Sequence, residues 1–292
     1  GFYDQSHTKA VKQRYKLSLG RHFMKLFDCH CHLQDERLQD SLSDHLEQAR
    51  KLGVARFACC GVSEADWPLV AALCEENDDI VPSFGLHPWE VHERSSQWLE
   101  TLRHYLSKGP AGVGEVGLDH GIRERNDKEQ EEVFLAQLAL AAELNRPLSI
   151  HCRRAFPTLF RLLKKHEGPQ AGFVVHSFSG SLEDMEKLFE LGAYFSFSGT
   201  CTFTRNKKAH RNIKAAPRER LLIETDCPDM YPLIKGEEPL QRGEKRVNPP
   251  ANLIHPLRKV AKLLELSEEE LAQTIWENAN RLFKRAVKSN NE

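Results

Sequence analysis

From Lys25 onward, eight short apolar, β-rich runs alternate with helical stretches, and nothing else in the sequence constrains the fold as strongly. The predicted strands are 25–32, 56–62, 80–86, 111–118, 148–152, 172–176, 194–198 and 221–226. Between them, apolar residues recur at helical spacing over 43–52, 64–76, 97–106, 128–144, 157–166 and 182–191, with Gly53 and Gly192 as helix stops. Two further helices, 253–264 and 267–284, close the chain, and the second opens with Ser267 and Glu270 at capping-box spacing. Strands alternating with helices through short connections predict a (β/α)8 TIM barrel, an α/β fold. An open doubly wound sheet is the competing architecture. It normally places a glycine-rich phosphate turn after the first strand. Here Gln34-Asp35-Glu36 follows instead.

The predicted strand ends carry the chemistry. His30 and His32 close the first strand and, two residues apart, share one face of it. Cys29 and Cys31 point the other way. His87 ends the third strand, Glu115 lies in the glycine-rich fourth, His151 and His176 end the fifth and sixth, and Asp226 ends the eighth. A closed barrel gathers all strand C-termini on one face. There, four imidazoles and two carboxylates suffice for two divalent ions sharing a bridging carboxylate and a water. Glu115 is the natural bridge, and Asp226 is suited to bind one ion and to orient or deprotonate the attacking water. Imidazole-rich ligation suits Zn or Mn, and Mg is the third candidate. Any one of these residues alone would be read as a hydrogen-bonded structural group. Their joint placement at strand ends is what points to a metal centre.

Of 292 residues, 40% are hydrophobic and 28% charged, with a formal net charge of −1, an ordinary globular balance with no global basic excess to hold a polyanion. Eight cysteines in a chain this long do not make a disulfide scaffold. Several lie in apolar runs and are read as reduced, buried thiols, which predicts a cytoplasmic protein. No apolar run is long enough to span a membrane. Residues 1–23 carry Lys9, Lys12, Arg14, Lys16 and Arg21 against Asp4, lack hydrophobic periodicity and are read as a basic leader outside the fold. The domain is predicted over 24–284, with 285–292 as a tail. A monomer is favoured.

The motifs resemble those of the TatD-type metal-dependent deoxyribonucleases of the amidohydrolase superfamily. The matching stretches are Asp28-Cys29-His30-Cys31-His32-Leu33, Gly85-Leu86-His87-Pro88, Gly114-Glu115-Val116-Gly117-Leu118-Asp119, Ile150-His151-Cys152-Arg153, His176-Ser177-Phe178-Ser179-Gly180, Tyr194-Phe195-Ser196-Phe197-Ser198-Gly199 and Glu224-Thr225-Asp226-Cys227-Pro228. They occur in the family's order and cover the chain from about Lys25 to Phe283. The resemblance implies that His30, His32, Glu115 and Asp226 surround one metal and that Glu115, His151 and His176 surround the second. It also implies that His87 and Arg153 contact the substrate phosphate. Asn248-Pro249-Pro250-Ala251 stands where the family often has Asn-Glu-Pro-Ala, and Cys227 where serine is commoner.

The residues themselves favour a phosphate substrate. Arg153 and Arg154 follow the fifth strand, Arg205, Lys207, Lys208 and Arg211 the seventh, and Arg242, Lys245 and Arg246 the eighth. Loops after strands seven and eight recur as phosphate sites in such barrels. Arg153 shares the face of His151. Trp89 and Phe203 are candidates to stack a base. The expected function is a 3′–5′ exonuclease on single-stranded DNA, with Asp226, His87 and Arg153 as catalytic residues. The alternatives are an amidohydrolase-type deacylase, for example on aminoacyl-tRNA, and a metal-binding protein without turnover.

Overall fold

The computed structural model describes residues 24–237 and 245–288. The basic leader, Arg242 and the last four residues of the tail lie outside the described residues. Eight strands form one parallel sheet in chain order: β1 (Leu26–Cys31), β2 (Val54–Cys60), β3 (Ile80–Phe84), β4 (Gly112–Asp119), β5 (Leu148–Arg153), β6 (Phe173–Val175), β7 (Ala193–Phe197) and β8 (Leu221–Ile223). Just past β8, Asp226 N donates to His30 O (3.0 Å) and His32 N donates to Cys227 O (2.8 Å). These two bonds close the seam between β8 and β1, so the sheet is a (β/α)8 barrel.

The strands are buried nearly throughout, on one side by the barrel interior and on the other by the helices. The last long helix, Glu268–Leu282, covers β1, where Phe27 stacks on Phe283 at 5.2 Å. Its predicted capping box is formed: Glu270 N donates to Ser267 Oγ and Ser267 N to Glu270 Oε2. Gly53 and Gly192 end their helices with φ of +95° and +88°.

Two features differ from the sequence reading. His32 and Asp226 lie beyond their strands rather than in them, because their amide groups bond across the seam instead of along a ladder. Residues 207–215, read only as a cationic stretch, form a helix, Lys207–Ala215. Asn206 caps it by accepting from Ala209 N, and Ala209, Asn212 and Ile213 are buried; the run of cations hid this short buried stripe. All eight cysteines are free and buried, Cys29 and Cys31 completely.

Candidate metal centre

The structure brings His30, His32, His87, Glu115, His151, His176 and Asp226 to one mouth of the barrel, around the Glu115 carboxylate. Oε2 of Glu115 lies 3.2 Å from His30 Nε2 and 3.3 Å from His32 Nε2. Oε1 lies 2.8 Å from His176 Nε2, 3.0 Å from His151 Nδ1 and 3.2 Å from His87 Nε2. Asp226 Oδ1 completes the first group, 3.5 Å from His32 Nε2 and 3.9 Å from His30 Nε2. One oxygen of Glu115 therefore faces the β1–β8 side and the other the β3–β5–β6 side, as a bridge between two ions requires.

Local backbone sets these positions. Asp226 has φ +53°, a left-handed conformation that aspartate tolerates, and the turn aims its carboxylate back at β1. Asn248 pins this turn: its Nδ2 donates to Thr225 O (3.0 Å) and Asp229 O (2.8 Å), on either side of Asp226. Buried Asp28 holds Thr225 from below through its amide (2.9 Å) and hydroxyl (2.5 Å). Burial pushes the Asp28 carboxyl up to about 7.

The outward nitrogens orient the rings. His32 Nδ1 lies 2.8 Å from the Cys60 carbonyl, His151 Nε2 3.1 Å from Asp119 Oδ2, and His176 Nδ1 3.4 Å from Glu224 Oε1. Each outer partner is an acceptor, so each imidazole donates outward. In the neutral ring the inward nitrogen then carries a lone pair. Lone pairs at about 3 Å from carboxylate oxygens repel unless a proton or a cation lies between them. This donor set fits divalent metal ions, with outer partners orienting the ligating rings.

The electrostatics follow the same pattern. Burial lowers His30 to about 4, helped by the stacked His176 ring at 3.8 Å. Burial also lowers His32, His151 and His176, but their carboxylate neighbours outweigh it and hold all three above the ordinary histidine value. Burial would raise Glu115, yet the surrounding imidazoles hold it well below the usual carboxylate range. His87 is different. Trp89 N donates to its Nδ1 (3.1 Å), so its proton sits on Nε2, facing inward, and burial lowers its basicity. It is a neutral donor rather than a ligand with a free lone pair.

Sequence reasoning missed Asp119, Glu224 and Asn248. Asp119 is fully buried at the end of β4 and gathers His151 Nε2, Trp89 Nε1 (2.8 Å) and Gly121 N (2.7 Å), with Arg153 Nη1 at 3.8 Å. It lies four residues past Glu115 on the same strand face, a signal the alternation offered. Glu224 sits two residues before Asp226 and also binds Ser196 Oγ.

The centre opens into a cleft of about 1360 Å³. Arg153, Lys208, Lys245 and the half-exposed Trp89 line it. Arg154, Arg205, Lys207, Arg211, Arg246 and Phe203 do not. Phe203 instead carries the Arg205 guanidinium 5.6 Å above its ring. No helix among the described residues is long and apolar enough to cross a membrane.

Fold and donor set together define a (β/α)8 barrel with a carboxylate-bridged, imidazole-rich cluster able to hold metal at the C-terminal ends of its strands. Known proteins agree with this class. The family model described as TatD related DNase matches residues 27–284. The chain is 33% identical over 262 residues to the uncharacterized metal-dependent hydrolase YabD of Bacillus subtilis, covering 89% of this chain and 99% of that protein. It is 31% identical over 264 residues to the 3′-5′ ssDNA/RNA exonuclease TatD of Pantoea vagans, covering 89% and 100%. The crystal structure of YjjV, a TatD homologue from Escherichia coli, superposes with a TM-score of 0.82 at 30% identity, covering 90% and 99%. The chain belongs to the TatD-related DNase family.

Proposed function

We propose that this protein is a metal-dependent hydrolase that cleaves phosphodiester bonds, acting as a 3′–5′ exonuclease on single-stranded DNA. In this reading His30, His32, Glu115 and Asp226 hold one divalent ion, and Glu115, His151 and His176 hold a second, each Mg, Mn or Zn. The observation that carries it is the convergence of the inner nitrogens of His32, His151 and His176 on the two oxygens of Glu115 and on Asp226, with an outer acceptor orienting each ring. The exonuclease name of the Pantoea relative supports the choice of substrate.

Bound divalent ions would supply Lewis-acid polarisation of the phosphodiester and an acidified water. Asp226, held by the Asn248 turn, aligns that water and accepts its proton. Half-exposed Arg153 reaches over the cleft and binds a non-bridging phosphate oxygen as charge develops on phosphorus. His87 presents its Nε2 proton to the leaving side. Trp89, fixed by its bond to Asp119, offers a ring face to the terminal base.

The test is cleavage of 3′-labelled single strands by metal-reconstituted protein, repeated with Asp226→Asn. The expected result is metal-dependent release of terminal nucleotides, slowed at least about 100-fold in the variant. Equal rates for the two proteins would refute the role of Asp226. Hydrolysis of aminoacyl esters but not of DNA, with every metal tried, would refute the nuclease reading.

A further inference from the structure

A second concave site lies at the opposite end of the barrel. A cavity of about 1120 Å³ opens at the N-terminal ends of β6, β7 and β8, reaching Phe173, Gly192 and Arg220. It is lined by Lys164, Lys165, Arg220, Arg281, Lys284 and Arg285, drawn from three separate segments. Among the described residues, Glu167 is the lone carboxylate on its walls, and none of the six cations forms an ion pair.

Helix ends explain only part of this charge. Lys164 and Lys165 end the helix Phe156–Lys165, and Arg281 lies in the last turn of Glu268–Leu282. Each helix C-terminus carries roughly half a negative charge. The two ends and Glu167 offset only about two of the six positive charges, in a chain whose formal net charge is −1. The cavity is also partly preformed. Arg220 donates to Gly192 O (3.1 Å) and lies 4.6 Å over the Tyr194 ring. Arg281 donates to Glu219 O (3.3 Å) and Asn278 Oδ1 (3.2 Å). Lys165, Lys284 and the Arg285 side chain have no hydrogen-bond partner among the described residues and face an open wall.

We propose that this basal cavity binds a compact polyphosphate, through the phosphate chain itself. Cations on three sides of a concavity surround a short polyanion, whereas a long strand needs an extended basic track. The Tyr194 ring is buried and covered by Arg220, so it offers no face to a base. Inorganic tripolyphosphate and a nucleoside triphosphate therefore offer the same recognised group. The site is separate from the metal centre and does not depend on the function proposed for it.

The test is calorimetric titration of the full chain with tripolyphosphate, once metal-loaded at buffered free metal and once after chelation. It is repeated with Lys165→Glu/Lys284→Glu, which breaks no hydrogen bond of the described structure. Saturable one-to-one binding is expected in both conditions, weakened roughly tenfold or more by the double charge reversal. A nucleoside triphosphate should displace tripolyphosphate with comparable affinity. Hydrolase activity and metal content of the variant should match wild type. The proposal is overturned by absence of saturable binding below about 1 mM, by equal binding to the variant, or by binding of the nucleotide alone. Tighter binding of a single-stranded oligonucleotide than of tripolyphosphate, lost in the variant, would also overturn it in favour of a strand-tracking surface.

Discussion

Asp119 shows how much of this site rests on residues that would touch neither metal nor substrate. It holds the His151 ring, the Trp89 indole and, more loosely, Arg153. Replacing it with alanine should lower kcat/KM about 10- to 100-fold and release metal at lower chelator concentration, with asparagine restoring part of both. Metal titration of the three proteins checks this, and unchanged metal affinity would reduce Asp119 to a packing role. Asp119 also has a pH signature. Burial raises its pKa, but bonds from His151 and Trp89 outweigh this and hold it at about 2, against an ordinary 3.8. A depressed carboxylate contributes stability above its unfolded value and loses it as pH falls through the folded one. The stability gap between wild type and Asp119→Asn should thus be about 2 kcal/mol near pH 6 and shrink between about pH 4 and 2. Urea unfolding of the metal-free proteins across that range measures it; a gap independent of pH would contradict the charge argument.

At the scale of elements, the strand between Gly112 and Asp119 governs the site, and one glycine governs the strand. Gly117 has φ +146°, and a Cβ there would lie 1.9 Å from the His151 carbonyl oxygen, in the register pair that carries His151. Gly117→Ala should cost at least about 3 kcal/mol. Gly192→Ala, at φ +88° with nothing within 4 Å of the added carbon, should cost only about 1 kcal/mol. Paired thermal melts separate the two, and equal losses would remove the close-approach argument. The same contrast explains what could be read from sequence. Apolar runs and their polar tips marked every strand and brought the histidines, Glu115 and Asp226 to one face, because the strand period and barrel closure are both written in residue order. Asp119 and Glu224 escaped, since a carboxylate beside a ligand resembles an ordinary loop acid until its partner is located. The helix Lys207–Ala215 escaped because two apolar positions, Ala209 and Ile213, among cations give a weak periodicity. Asn248 was legible only as a motif departure beside Pro249. Its work, bonding the carbonyls around Asp226, depends on a loop folding back over more than twenty residues.

Over the whole molecule, charge is distributed opposite to what the basic loops suggested. Among the described residues, seven carboxylates line the cleft, Asp35, Glu36, Asp66, Glu90, Glu115, Asp226 and Asp229, against four cations, Arg37, Arg153, Lys208 and Lys245. Arg37 is already engaged by Asp35 and Asp229 at 2.8 and 2.9 Å. A phosphodiester approaching this mouth meets more carboxylates than lysines and arginines, and bound divalent ions would shift that balance as well as polarise phosphorus. Chelation should therefore abolish substrate binding, not just turnover. Fluorescence anisotropy with a 3′-labelled single strand and the slow Asp226→Asn protein should show affinity falling at least about 100-fold in EDTA. Arg153→Ala, by contrast, should weaken metal-loaded binding by roughly tenfold, the loss of one charge-assisted phosphate contact. If the strand binds as tightly without metal, its affinity comes from the protein's own cations, and the cleft would have to bind phosphate through Arg153, Lys208 and Lys245 against the surrounding acids.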